Sequence, residues 1–332
     1  METILVVGGG GYIGSHMCKL LRQSGYHPVT LDNFSTGYRE AVRFGELVQG
    51  DVQDRALLDG LFSRYRIAGV MHFAAFIQVG ESVTQPGRYY RNNVNGALTL
   101  LEAMRDHGVK HLIFSSTAAV YGAPREVPIG EHHPLEPINP YGWTKRMVEQ
   151  MLADFSAAHG MTGIALRYFN AAGADPEGEL GECHLPESHL IPLVLQVASG
   201  RRSEVTVFGR DYPTPDGTCI RDYVHILDLC QAHLLALRKL QEGHPGGAFN
   251  LGNGRGYSVE EVLQAARRVT GQAIPVREGE RRAGDAPILV ADARLAEQTL
   301  QWRPRWPQLE TMVEQAWAWE RKCLKAGGPW LS

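Results

Sequence analysis

The first hydrophobic run, Thr3-Ile4-Leu5-Val6-Val7, is short, unbroken and rich in β-branched residues, and it stops at glycines. Such a run predicts a strand buried on both faces, as in a parallel sheet. Beyond the glycines, Ser15 to Gln23 has helical length and composition before Ser24-Gly25 ends it. The alternation then repeats. Pro28-Val29-Thr30-Leu31 and Glu46-Leu47-Val48-Gln49 predict two more strands, and a helix follows from about Asp54 to Arg66. Next come a strand over Gly69 to Phe73, a long helix from about Tyr89 to Asp106, a strand at His111-Leu112-Ile113-Phe114, a helix from Tyr141 to about Ala158, and a strand from Gly163 to Tyr168. Six strands alternating with helices predict the α/β class, a doubly wound parallel sheet.

From Ala171 the texture changes to Gly-Ala-Asp-Pro-Glu-Gly, with more loops and weaker alternation. The expectation is a first domain over residues 1–171 and a smaller mixed α/β lobe over 172–332. The segment from Arg221 to Leu229 opens a helix on this reading, and residues 221–240 pack back on the first domain.

In a doubly wound sheet the ligand lies beyond the carboxyl ends of the strands, where the strand order reverses. The residues expected there are Gly8, Asp32, Asp51, Phe73-Ala74-Ala75, Ser115-Ser116-Thr117 and Phe169-Asn170. The first of these ends carries Gly8-x-x-Gly11-Tyr12-Ile13-Gly14. A strand, a tight glycine turn and a helix N-terminus turn backbone N–H groups and a positive dipole end toward an anion, typically a pyrophosphate. Glycine-rich turns also recur without a ligand, so the flanking strand and helix give this Rossmann-type motif its meaning. Asp32 follows Gly14 by 18 residues. An acid there accepts hydrogen bonds from ribose hydroxyls and repels a 2′-phosphate, which favours NAD over NADP.

Composition narrows the partners. The 332 residues, 44% apolar and 21% charged with net charge −3, describe an ordinary globular chain with no basic footprint for nucleic acid or an anionic membrane. Five scattered cysteines without a C-x-x-C pair imply neither a disulfide framework nor a zinc site, and fit a reducing cytoplasm. The first strand begins at residue 3, which leaves no room for a signal peptide, and no long apolar run predicts a membrane span. Cys183, His184 and His189 fall in a Pro/Glu-rich loop with no fourth partner, so no metal is expected.

Asn139-Pro140-Tyr141-Gly142-Trp143-Thr144-Lys145 is the second informative stretch. Asn139 is a good N-cap and Pro140 a good first helical residue, which sets Tyr141 and Lys145 four apart on one helix face. An ammonium and a positive nicotinamide ring beside the phenol would favour the phenolate and make Tyr141 a base near neutral pH. Chance alone also produces such a pair on a helix surface. Ser115-Ser116-Thr117 offers hydroxyls for a proton relay, and the same cluster also suits a turn.

With the glycine motif, the hydroxyl residue on the fifth strand and Y-x-x-x-K, the chain resembles the extended short-chain dehydrogenase/reductase superfamily. His72-Phe73-Ala74-Ala75, Val79-Gly80-Glu81-Ser82, Asn92-Asn93-Val94-Asn95-Gly96, Leu166 to Asn170 and Asp216 to Tyr223 resemble, more narrowly, the UDP-glucose 4-epimerase (UDP-galactose 4-epimerase) family. The likeness covers essentially the whole chain. It implies NAD held by Gly8, Gly11, Tyr12, Ile13, Gly14, Asp32, Asn33, Asp51, Val52, Phe73, Ala74, Ala75, Asn92, Ser115, Tyr141, Lys145 and Tyr168. It implies UDP-sugar contacts at Thr117, Asn170, His189, Leu190, Phe208, Arg221, Arg282 and Asp285.

The implied reaction is an internal redox cycle. Tyr141 removes the proton of the sugar C4 hydroxyl with Thr117 as relay, while hydride passes from C4 to NAD. The 4-keto sugar turns over and hydride returns to its other face, so NAD ends as it began. Leu289 stands at a wall position that bears on N-acetyl groups, leaving UDP-N-acetylhexosamines and UDP-pentoses open as substrates. A 4,6-dehydratase usually carries Asp-Glu after the relay hydroxyl, where this chain has Ala118-Ala119. A noncatalytic NAD-binding protein would have lost Tyr141 or Lys145. The helices carrying Val94, Leu98, Leu101 and Met104, and Met147, Met151 and Phe155, form a dimer bundle in that family, which implies a homodimer.

Overall fold

The computed structural model describes residues 1–282 and 285–326. The strands of the first half are β1 (Thr3–Val7), β2 (His27–Asp32), β3 (Glu46–Gln49), β4 (Ile67–His72), β5 (His111–Thr117) and β6 (Thr162–Tyr168). Those of the second half are β7 (Asn170–Ala172), β8 (Val205–Phe208), β9 (Ile220–His225), β10 (Gly246–Leu251), β11 (Gly256–Ser258), β12 (Val276–Gly279) and β13 (Ile288–Leu289). The main sheet is parallel, in the order β10-β6-β5-β4-β1-β2-β3. The order reverses between β1 and β4, which opens a crevice at their carboxyl ends.

Side-chain alternation along β1 explains its unbroken hydrophobic run. Ile4 and Val6 enter one core, Leu5 and Val7 the other, and all four are buried. On the first face lie α1 (Tyr12–Gln23) and α8 (Ile226–Gln241), which pack together. The opposite face is covered by α2 (Arg55–Arg64), α5 (Gly96–Asp106) and α6 (Pro140–His159). Two short helices, α3 (Val79–Thr84) and α4 (Pro86–Tyr89), precede α5.

Three sequence expectations need correction. The main sheet has seven strands among the described residues rather than six, because β10 pairs with β6 at its edge. Glycines at 246 and 247 begin β10 at positive φ, so its first residues lack the β-branched signal of the others. Residues 221–225 are strand, and the helix starts only at Ile226, capped by the His225 ring on the N–H of Leu227. The long helix expected from Tyr89 to Asp106 is π-helical over Tyr90–Asn95, a distortion found often at functional sites. Asn92 then lines the crevice, while buried Asn93 bonds Phe76 N, Phe76 O and the Thr144 hydroxyl at 2.9, 3.0 and 3.1 Å.

The second half builds its own core around α7 (Leu190–Ala198), α9 (Val259–Thr270) and α11 (Leu309–Lys325). Between α9 and α11 runs α10 (Arg294–Leu300), which packs on β10 and α8. A smaller sheet joins β11, β9 and β13, with β7 beside β9, and β8 pairs with β12. Buried Asp222 on β9 fastens this half: its carboxylate accepts from the N–H groups of Asn253, Gly254 and Ala291 at 2.8, 3.2 and 3.1 Å. Burial raises its pKa to about 6, although those three N–H groups pull it down.

Candidate active site

The glycine turn is dictated by close packing. Gly8 sits at φ +88°, and a Cβ there would lie 2.6 Å from Ala74 N, while one on Gly14 would lie 2.2 Å from Gly8 O. Only glycine brings the turn, α1 and the β4 loop this close. Gly11 differs: a Cβ there meets nothing nearer than Gly8 O at 3.4 Å, so the outer side of the turn is open to a ligand. Gly11 is also the N-cap of α1 and makes no side-chain cap, which leaves the first-turn N–H groups for an anion.

Asp32 closes the other side of the turn, accepting from Gly10 N and Phe34 N at 2.8 Å each. Burial raises its pKa and the two N–H groups lower it. The Asn33 amide donates to Asp51 at 2.7 Å, joining the ends of β2 and β3. A diphosphate and a ribose diol match this donor set and these carboxylates, so the residues fit a dinucleotide.

Further along the crevice, Asn139 caps α6 through Gly142 N at 2.8 Å, and Pro140 starts the helix, as the sequence predicts. Tyr141 and Lys145 therefore point together at the end of β5. The Lys145 amine donates to Ser115 O at 2.8 Å and lies 5.9 Å from the centre of the Tyr141 ring. Ser115 and Tyr168 share a short hydroxyl contact, and the Thr117 hydroxyl caps the following turn at Ala119 N, 3.1 Å away.

Burial dominates the charge state of the pair. Burial raises Tyr141 to about 12, against a smaller lowering by the Thr117 hydroxyl, and burial lowers Lys145 to about 7 despite the Glu149 carboxylate. Near neutral pH Tyr141 is therefore a phenol and Lys145 is divided between ammonium and amine.

Beneath the pair lies a network that sequence reasoning missed. Arg167 makes two bonds to Glu149, at 2.9 and 2.6 Å, and one to the Tyr121 hydroxyl at 2.9 Å; Tyr121 donates to Asn250 at 2.6 Å. All four side chains are buried. Glu149 is one turn beyond Lys145, so the stripe Tyr141, Lys145, Glu149 could have flagged it.

One cavity of about 790 Å³ joins these parts. Its wall includes Gly8, Gly11, Tyr12, Ile13, Gly14, Asp32, Asn33, Asp51, Val52, Phe73, Ala74, Ala75, Asn92, Ser115, Thr117, Tyr141, Lys145 and Tyr168 at the dinucleotide end. Asn170, His189, Arg221, Asp285 and Leu289 line the remainder. Leu190, Phe208 and Arg282 lie off that wall; the Arg282 guanidinium stacks 3.9 Å from the Phe208 ring centre. Arg221 is held by Ile220 O and Ala286 O at 2.9 Å and faces Asp285 at 3.4 Å. The wall also includes Glu182 and His184, which the sequence reading had not placed there.

Fold and crevice together define a dinucleotide-binding α/β protein with a Tyr-Lys pair, of the short-chain dehydrogenase/reductase type. Residues 4–252 match the NAD dependent epimerase/dehydratase family, and the chain belongs to it. A UDP-glucose 4-epimerase of Halalkalibacterium halodurans is 51% identical over 320 residues, spanning 96% of each chain. The crystal structure of UDP-glucose 4-epimerase from Brucella ovis in complex with NAD superposes with a TM-score of 0.94 at 50% identity, covering 96% of this chain and 98% of that one. The UDP-glucose-4-epimerase from Stenotrophomonas maltophila with bound NAD and formylated UDP-arabinopyranose gives 0.95 at 41% identity, covering 98% and 100%.

Proposed function

We propose that the protein catalyses the NAD-dependent, reversible C4 epimerisation of UDP-galactose and UDP-glucose through a 4-keto intermediate. The observation that carries this reading is the single cavity running from the glycine turn and Asp32, past Tyr141 and Thr117, to Arg221 and Asp285. It offers a dinucleotide and a nucleotide sugar one continuous site, with the only net change of bonding at the sugar C4.

In this reading Tyr141 takes the C4 hydroxyl proton, directly or through Thr117, and later returns it. At a pKa of about 12 the phenol needs positive charge nearby to act as a base. Protonated Lys145, held by Ser115 O, is one source. Bound NAD supplies another in its nicotinamide ring, and it is the acceptor and donor of the C4 hydrogen with its electron pair. Arg221, Asn170, His189 and Asp285, with Leu190, Phe208 and Arg282 as outer contacts, anchor the UDP while the keto sugar turns. The work divides between a dinucleotide half at residues 1–171 and a sugar-nucleotide half at 172–332, with α8 and β10 returned to the first half.

Ala118 and Ala119 put methyl groups where a 4,6-dehydratase needs an acid and a base, and the presence of Tyr141 and Lys145 speaks against a silent NAD binder. Incubating purified protein with UDP-galactose and no added NAD, followed by NMR, tests the assignment. UDP-glucose is the expected product; no C4 inversion even after NAD is supplied would reject it. UDP-N-acetylgalactosamine and UDP-xylose in parallel tubes set the specificity at Leu289.

Five free cysteines support a reducing cytoplasm as the setting. Trp143 and Met147 are 42% and 39% exposed on α6, beside half-buried Leu98, Met151 and Phe155, and this apolar face supports a homodimer. Sedimentation should give twice the chain mass, and a monomer at micromolar concentration would oppose it.

A further inference from the structure

The loop from Glu182 to His189 gathers four metal-binding side chains that the redox reading does not use as such. Nitrogen or oxygen atoms of Glu182, His184, Glu187 and His189 all lie within 4.8 Å of one another. His189 Nδ1 is 2.9 Å from Glu182 Oε1 and 2.9 Å from Glu187 Oε1. His184 Nδ1 is 3.3 Å from Glu182 Oε1 and 3.7 Å from Glu187 Oε2. In a tetrahedral zinc site with bonds of about 2.0–2.1 Å, neighbouring ligand atoms stand about 3.3 Å apart. The two contacts of Glu182 Oε1, 2.9 and 3.3 Å, and that of Glu187 Oε1 with His189, 2.9 Å, lie at or somewhat below that edge length, while His184 faces the other Glu187 oxygen at 3.7 Å.

The donor chemistry agrees. Two imidazoles and two carboxylates suit a borderline divalent ion such as Zn²⁺, and the two negative charges balance it. His184 Nδ1 is buried without a hydrogen bond, and the single ring nitrogen of His189 meets two carboxylate oxygens at equal distance, where one N–H serves one acceptor well. The Glu187 carboxylate is already held in place: its Oε1 accepts from the N–H groups of Ser188 and His189 at 2.7 and 2.9 Å. The Trp319 indole donates to the backbone carbonyl of Glu182 at 3.1 Å, which fixes the chain at that residue. Glu182 and Glu187 side chains are only 9% and 4% exposed.

We propose that Glu182, His184, Glu187 and His189 form a closed, four-ligand structural site for one Zn²⁺-class divalent cation. The sequence reading lacked a fourth partner for the two histidines; the fold supplies both glutamates. Because Glu182, His184 and His189 also line the cavity, and His189 precedes α7, the ion would brace the cavity wall against that helix. It would take no part in the redox step.

Untagged protein, treated with chelator and dialysed, would be titrated with Co²⁺ alone. The expected result is one Co²⁺ per chain with the strong visible absorption of a tetrahedral ion, bleached by one equivalent of Zn²⁺. His184→Ala and Glu187→Gln, checked by circular dichroism for folding, should weaken binding by more than the roughly 10- to 100-fold typical of losing an outer partner. Cys183→Ser should leave binding unchanged, since that thiol is outside the converging set. The proposal is overturned if wild-type protein gives no stoichiometric tetrahedral spectrum, if folded His184→Ala or Glu187→Gln binds like wild type, or if Cys183→Ser removes the spectrum. None of these readings depends on turnover, so they stand or fall apart from the epimerase assignment.

Discussion

At the residue scale, the proposed chemistry hinges on a phenol that burial keeps protonated. Burial holds Tyr141 near 12 and drops Lys145 to about 7, so the pair is poised to respond to positive charge arriving in the crevice. Removing the hydroxyl tests this directly. Tyr141→Phe should lower kcat by about 10²- to 10⁴-fold with NAD content unchanged. Wild-type activity should rise with pH as the phenol loses its proton, and the residual activity of the variant should lose that dependence. Unchanged activity in the variant would remove Tyr141 from the mechanism. The positions of Tyr141 and Lys145 were legible because Asn139 and Pro140 fix where α6 begins. Their protonation states were not, since burial is a property of what covers the residue and not of its neighbours in sequence.

Elements hold these side chains through contacts that span the chain. Glu149 on α6 and Arg167 on β6 form a buried bidentate pair, extended by Tyr121 to Asn250 on β10. Removing one partner leaves a buried charge alone. Glu149→Leu should therefore cost about 3–5 kcal/mol in urea unfolding, and pairing it with Arg167→Met should recover much of that loss. A double variant no more stable than the single one would show that packing dominates there. Apart from Glu149, which shares the helical stripe of Tyr141 and Lys145, the network was not legible in the sequence, because its bonded pairs are 18 to 129 residues apart. The same limit hid β10: its partner β6 precedes it by a whole subdomain, and its opening glycines weaken the strand pattern. By contrast, β1 to β6 could be read because a strand buried on both faces leaves a continuous apolar run. The π-helical stretch at Tyr90–Asn95 could not, since it keeps the helical period while turning Asn92 and Asn93 to different tasks.

For the whole molecule, the arrangement places both ligands of the proposed reaction in one cavity, dinucleotide at the reversal of the sheet and nucleotide sugar against the second half. The central claim is that hydrogen leaves C4 and returns to C4 inside this cavity without meeting water. UDP-galactose carrying deuterium at C4, incubated with the protein in ordinary water and no added NAD, tests that claim most directly. The account predicts UDP-glucose with deuterium still at C4. UDP-glucose with hydrogen at C4 would mean exchange with solvent or release of the cofactor during the cycle, and would contradict the internal redox mechanism.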